Sequence, residues 1–119
     1  MQDLNQIALS GRLTKDAELK YTNSGTALVT MSIANNTRKK DGDNWTDYPN
    51  YLDVTFFGRL AEILHPQLTK GCPITLGGRI EQQRWEKDGN KRSKVVVIAD
   101  HVMINRQKQG NDFPVEPDF

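Results

Sequence analysis

Apolar residues fall on alternate positions through much of this chain, and that period marks β-strands. Ile7, Leu9 and Leu13 share one side of a first segment, with Gln6, Ala8, Ser10 and Arg12 on the other, which predicts a strand over residues 4–14. Gly11 breaks the apolar side, as a bend or bulge in a curved strand does. Asn23-Ser24-Gly25 is a turn signal. Ala27, Val29, Met31 and Ile33 then alternate with Leu28, Thr30, Ser32 and Ala34, predicting a second strand at 26–35. From Asn36 to Pro49 there is no apolar period, and Asp41-Gly42 and Pro49 point to a long loop or a mobile hairpin. A third strand is expected at 50–57.

Gly58 ends the third strand, and the period changes to four. Leu60, Leu64 and Leu68, with Ala61 and Ile63 beside them, predict one short helix at 59–69. Pro66 removes one N–H and crowds the Glu62 carbonyl, so a kink or early stop is expected there, with Gly71 closing the helix. Ile74, Leu76 and Ile80 resume the two-residue period, opposite Thr75, Arg79, Glu81, Gln83 and Trp85, and Gly77-Gly78 marks a point of sharp coiling. Asp88-Gly89 is a hairpin turn. A strand returns over Lys91–Ala99, and Val102–Asn105 continues or closes the sheet. Residues 107–119 have no period and two prolines, and read as a short acidic disordered tail after a domain of residues 1–106. Five strands with a helix after the third is the layout of an all-β OB-fold, a five-stranded Greek-key barrel. A sandwich usually has more strands and no helix.

The outward face of the third strand is unusual. Leu52, Val54 and Phe56 form a core side, but Tyr51 and Phe57 flank Asp53 and Thr55 on the side that should meet water. Either the two rings pack under a neighbouring loop, or they form a platform on which flat aromatic groups stack. Only 36% of residues are hydrophobic and mean hydropathy is −0.67, which suggests a thin core and much working surface. The net charge of +1 conceals an asymmetry: all 16 Lys+Arg lie in residues 1–108, giving +4 there and −3 in residues 109–119. A basic body with an acidic tail suits a polyanion on one part and a different partner on the other.

Catalytic chemistry finds little support. His65 and His101 have no Cys, Asp or Glu at ligand spacing, so no metal is expected. Cys72 has no base partner in sequence and reads as structural, and a single cysteine suits a reducing cytoplasm. No Gly-rich loop precedes a helix, and no cofactor is expected. No run of ~18 apolar residues is present to span a membrane, and the N-terminus has no secretory signal pattern. Nucleic acid fits better. Arg79 and Trp85 share the outward side of the fourth strand. The 36–49 segment holds Arg38, Lys39, Lys40 and Trp45, and the hairpin holds Arg84, Lys87, Lys91, Arg92 and Lys94 around Trp85. Rings interleaved with bases are what single strands need, stacking for the nucleobases and cations for the phosphates. Tyr21 reads as core or a lid on the barrel.

LSGRLTKDAELKYTNSGTALVTMSIA, YLDVTFFGRLAEIL, LTKGCPITLGGRI and RWEKDGNKRSKVVV resemble the bacterial single-stranded DNA-binding protein family, in order and at that family's spacing, over residues 4–106. The resemblance implies an OB-fold, a homotetramer, and sequence-independent binding of single-stranded DNA wrapped around the assembly in replication, recombination and repair. It implies stacking roles for Tyr51, Phe57 and Trp85. Three departures stand out. Lys39 aligns with a stacking tryptophan of a well-known member, so that position offers charge and Trp45 is the substitute ring. Asp53 occupies a position that is basic in some members. The tail is short and ends VEPDF, where the family has a long linker before an acidic tip that recruits replication and repair proteins; Asp118 and Phe119 are the candidate tip. The nearest alternative is a primosome adaptor of related fold acting mainly through protein contacts. The alternative from another class is an enzyme such as a small nuclease.

Overall fold

Val29, Met31 and Ile33 are all buried, as are Val54 and Phe56 on the neighbouring strand, so the two-residue period does select a core side. The structure is a computed structural model and describes residues 2–105. Its elements are β1 (Ile7–Leu13), β2 (Glu18–Tyr21), β3 (Ala27–Asp41), β4 (Asn44–Phe57), α1 (Arg59–Leu64) with a 3-10 turn at His65–Gln67, β5 (Pro73–Lys87) and β6 (Asn90–Ile104). β3 pairs antiparallel with β4, and β5 with β6. β4 and β6 meet in parallel at Val54↔Val97. β1 pairs with β5 along most of its length and with β3 at Arg12↔Ala34 and Leu13↔Ile33. Those last pairs close a five-stranded barrel, the OB-fold architecture expected from the sequence, with β2 added along β3.

Two glycines make the closure possible. A Cβ on Gly11 would collide with the Ala34 carbonyl oxygen, and one on Gly78 would collide with the Ile98 carbonyl oxygen and lie 2.8 Å from the Ala99 Cα. The β5–β6 register shifts between Gly77 and Gly78, leaving Asp100 unpaired between Ala99 and His101. This bulge is the sharp coiling expected at Gly77-Gly78. Asp88 and Gly89 both have positive φ, the requirement of a tight hairpin turn.

Several sequence expectations change. Strand 1 is shorter than 4–14, and β2 was not anticipated, because ELKY is only four residues long and alternates just Leu19 with Tyr21. Of the two readings of 36–49, the hairpin holds and the loop does not: β3 and β4 run on as a two-stranded ribbon to Asp41↔Asn44. It lacks an apolar period because neither ribbon face has a core to meet. The α-helix is shorter than 59–69 but makes the early stop expected from Pro66, ending at Leu64 with Pro66 in the 3-10 turn. It buries Ala61, and Leu68 beyond it is also buried, but Leu60 and Ile63 are exposed, since so short a helix presents only one stripe inward. Ile80 keeps its core parity yet is exposed, because β5 leaves the barrel after Gly78. Tyr21 is neither core nor lid. It is exposed, and its hydroxyl donates to Glu62 at 2.5 Å, which holds the phenol above its usual pKa.

Among the described residues no helix is long and apolar enough to cross a membrane, and no group of three or more His, Cys, Asp or Glu is placed to hold a metal ion.

Candidate nucleic-acid interface

Alternation along β4 puts Tyr51, Asp53, Thr55 and Phe57 on the outer wall of the barrel. Register sets Ala34, Ser32, Thr30 and Leu28 of β3 beside them in that order. These neighbours are mostly small, so they leave the rings uncovered: Tyr51 is 67% and Phe57 46% exposed. Tyr51 therefore does not pack under a loop among the described residues. Arg12 pairs with Ala34, which pairs with Tyr51, so Arg12 stands two strands away on the same wall. Its guanidinium also donates to the Gly71 carbonyl at 3.2 Å.

The β5–β6 ribbon extends this wall. Thr55 neighbours Ile98, and Ile98 neighbours Arg79. Two-residue steps from Ile98 along β6 pass through Val96 and Lys94 to Arg92, which pairs with Trp85. Trp85 is 43% exposed. Lys94 Nζ lies 2.9 Å from Asp53 Oδ2 and so binds the ribbon to the centre of the aromatic face. Between them is a groove of about 310 Å³ lined by Lys15, Thr30, Ser32, Asp53, Gln83 and Lys94. Arg79 is 4.0 Å from Glu81.

The ribbon divides the predicted bases. Lys87, Arg92 and Lys94 share the side of Trp85, whereas Arg84 and Lys91 fall on the reverse side, with Arg84 donating to Gln82 Oε1 at 2.7 Å. The β3–β4 ribbon divides its bases too. Arg38, Lys40 and Trp45 continue the side of Tyr51. Arg38 is 4.0 Å from Asp47, and its Cζ lies 5.9 Å from the Trp45 ring centre. Lys39 faces the other way, with its ammonium 3.9 Å from the ring centre of Tyr48. Tyr48 was not singled out from the sequence, although an aromatic next to Pro49 in a polar, basic segment was an available signal. Ser32, Thr30 and Lys15 were likewise missed, because only register brings them beside Asp53.

The arrangement offers exposed rings flanked by cations on a continuous wall, which can stack planar groups and neutralise anions. Asp118 and Phe119 lie outside the described residues.

A model of the Single-strand binding protein family matches residues 4–105. The single-stranded DNA-binding protein of Treponema pallidum is 44% identical over 87% of this chain and 59% of its own length. That of Borreliella burgdorferi is 44% identical over 87% of this chain and 71% of its own. The chain thus spans well short of the full length of these relatives. Among solved structures, a deletion mutant of the single-stranded DNA binding protein from Thermus aquaticus superposes with TM-score 0.77 at 35% identity, over 91% of this chain and 52% of that one. A Plasmodium falciparum protein solved in complex with single-stranded DNA shares the fold, with TM-score 0.79 at 18% identity over 89% of this chain and 98% of that one.

Proposed function

The chain belongs to the single-strand binding protein family, and from that premise we propose that it binds and coats single-stranded DNA without regard to sequence. The observation that carries the proposal is the outer wall on which Tyr51, Phe57 and Trp85 are uncovered beside Arg12, Arg92 and Lys94. Nucleobases of any identity stack on the rings, and the cations follow the phosphates. Trp45, Arg38 and Lys40 extend the path along one ribbon; Lys87 extends it along the other, and Arg79 lies on the wall between. Arg84 and Lys91 reach phosphates only where the strand turns over the ribbon edge. Coating keeps the strand unpaired for replication, recombination and repair, and binding rather than catalysis is the activity.

A salt-resolved titration with oligo-dT, read by quenching of tryptophan fluorescence, tests this against duplex DNA of equal length. Tight binding of oligo-dT, weak binding of duplex and a linear fall of log affinity with log salt are expected. Equal affinity for the two forms would overturn the reading.

The assembly is a homotetramer in this proposal. Support comes from the reverse side of the β5–β6 ribbon, where Ile80 and Val95 are exposed apolar groups. Leu4 is exposed as well, and its neighbour Asn5 makes two hydrogen bonds to the Ile80 backbone. The acidic segment with Asp118 and Phe119 recruits replication and repair proteins, and the protein works in the cytoplasm, which suits its one cysteine.

A further inference from the structure

Asp53 stands between Tyr51 and Phe57 on the outer face of β4, about 7 Å along the strand from Tyr51. A carboxylate at that point works against phosphate, so the chemistry it can offer a nucleic acid lies in the bases. Its Oδ2 is bonded to Lys94 Nζ at 2.9 Å, and both side chains are about half-exposed. Among the described residues no other donor reaches this carboxylate, and no other acceptor reaches this ammonium. Both border the groove of about 310 Å³, with Ser32, the strand neighbour of Asp53, and Gln83, the strand neighbour of Lys94. Glu18, the other acid of the groove, is engaged by Lys20 at 3.6 Å. The pair thus presents, side by side, two carboxylate oxygens with open lone pairs and an ammonium with N–H groups to spare.

Guanine has the complementary edge. Its O6 accepts, and its N1–H and N2–H donate, in that order across the ring. Thymine has a single N–H between two carbonyls, and adenine and cytosine each set one amine beside acceptors. Guanine alone brings two donors to a carboxylate and an acceptor to the cation beside it. We propose that Asp53 and Lys94 form a guanine-reading subsite at the centre of the aromatic wall. Asp53 accepts from N1–H and N2–H, and Lys94 donates to O6 while keeping its bond to Asp53. A strand that passes from Tyr51 to Phe57 crosses this pair, so the base carried there turns its edge into the groove. In a duplex the same edge is occupied by cytosine, so only unpaired guanine is read. The preference is shallow, because the pair is half-exposed, and it is laid over a coat that accepts every base through stacking.

This inference rests on the single-strand reading, and one experiment separates the two. Oligo-dT of about 8 nucleotides, within the ~4–16 that one OB-fold occupies, is compared with the same oligomer carrying one central dG, dA, deoxyinosine or 7-deaza-dG. Affinities are read by competition against labelled oligo-dT. With wild type, the dG oligomer is expected to bind about 3- to 10-fold more tightly than all-dT. Deoxyinosine, which lacks the N2 amine, loses most of that advantage, whereas 7-deaza-dG, whose Watson–Crick edge is intact, keeps it. D53N and D53A bind all-dT at least as tightly as wild type and bind the dG oligomer no better than all-dT. K94M weakens binding of every oligomer and shrinks the dG advantage. If dA gains as much as dG, the effect is purine stacking and the subsite is overturned. It is equally overturned if dG binds no better than all-dT, if deoxyinosine keeps the advantage, if 7-deaza-dG loses it, or if D53N, D53A or K94M retains it in full. In each of these cases tight binding of all-dT leaves the single-strand reading standing. If wild type binds none of the oligomers, that reading itself fails.

Discussion

Asp53 places a carboxylate at the centre of the aromatic wall, and Lys94 answers it at 2.9 Å. The pair is half-exposed, so it adds only about 0.2–1 kcal/mol to stability. In the proposed binding mode its larger effect is on DNA, because Asp53 would repel phosphate and occupies a cation that phosphate would use. D53N is expected to bind oligo-dT about two- to fivefold more tightly at low salt, a gain that shrinks as salt rises. The rings act in the opposite sense. Tyr51→Ala, Phe57→Ala and Trp85→Ala are each expected to cost about 1–3 kcal/mol of binding per stacked base, with thermal midpoints near that of wild type. Gly78 has a structural role. G78A forces a Cβ into the Ile98 carbonyl and is expected to lower stability in urea by about 1–3 kcal/mol or more. Cys72 is half-buried, and desolvation pushes its thiol above the usual range despite the opposing charge of Arg12. Alkylation by iodoacetamide at pH 8 is expected to run slower than for an unhindered thiol, and to speed up as pH rises through that elevated value.

At the scale of elements, each ribbon is a barrel strand pair prolonged beyond the core. The barrel parts of β3 and β4 were legible because Ala27 to Ile33 and Leu52 to Phe56 alternate, and the Asp88-Gly89 turn because its two residues take positive φ readily. Over 36–49 the hairpin could not be told from a loop, since alternation of hydrophobicity appears only where one face meets a core. The same reason hid the sidedness of the bases. Parity within one strand could be read, but which side of β6 faces Trp85 depends on cross-strand register, which no sequence period encodes. Leu60 and Ile63 misled for the complementary reason, because apolar spacing in a helix this short does not oblige burial. Replacing residues 38–47 with a two-residue turn is expected to leave the barrel folded by circular dichroism. The salt slope should fall by about 2, at ~0.7 per lost phosphate contact. An unchanged slope would show that Arg38, Lys39 and Lys40 make no phosphate contact.

For the whole molecule, closure and polarity follow from one ring of strands. β1 joins β5 to β3, so the aromatic wall and the Ile80 and Val95 patch belong to different sides of the same sheet system. Single strands on one side and other copies on the opposite side can then be accommodated without competition. I80E combined with V95E is expected to yield a smaller species by analytical ultracentrifugation while short-oligomer binding persists. The fold class was readable at this scale from five strands with a helix after the third. The exposed apolar patch was not, because Ile80 reads as core until the strand is seen to leave the barrel.

The two ribbons carry their lysines and arginines on backbone that no buried side chain anchors. Opening such a segment locally takes little free energy compared with opening the barrel. Trypsin should therefore nick the free protein first after Arg38, Lys39 or Lys40 and after Lys87, Lys91, Arg92 or Lys94, leaving the barrel intact in the digest. A strand lying over those residues masks the bonds that the protease reads. Mass spectrometry of fragments taken with and without oligo-dT then maps, cut by cut, where the polymer runs, with no label on either molecule.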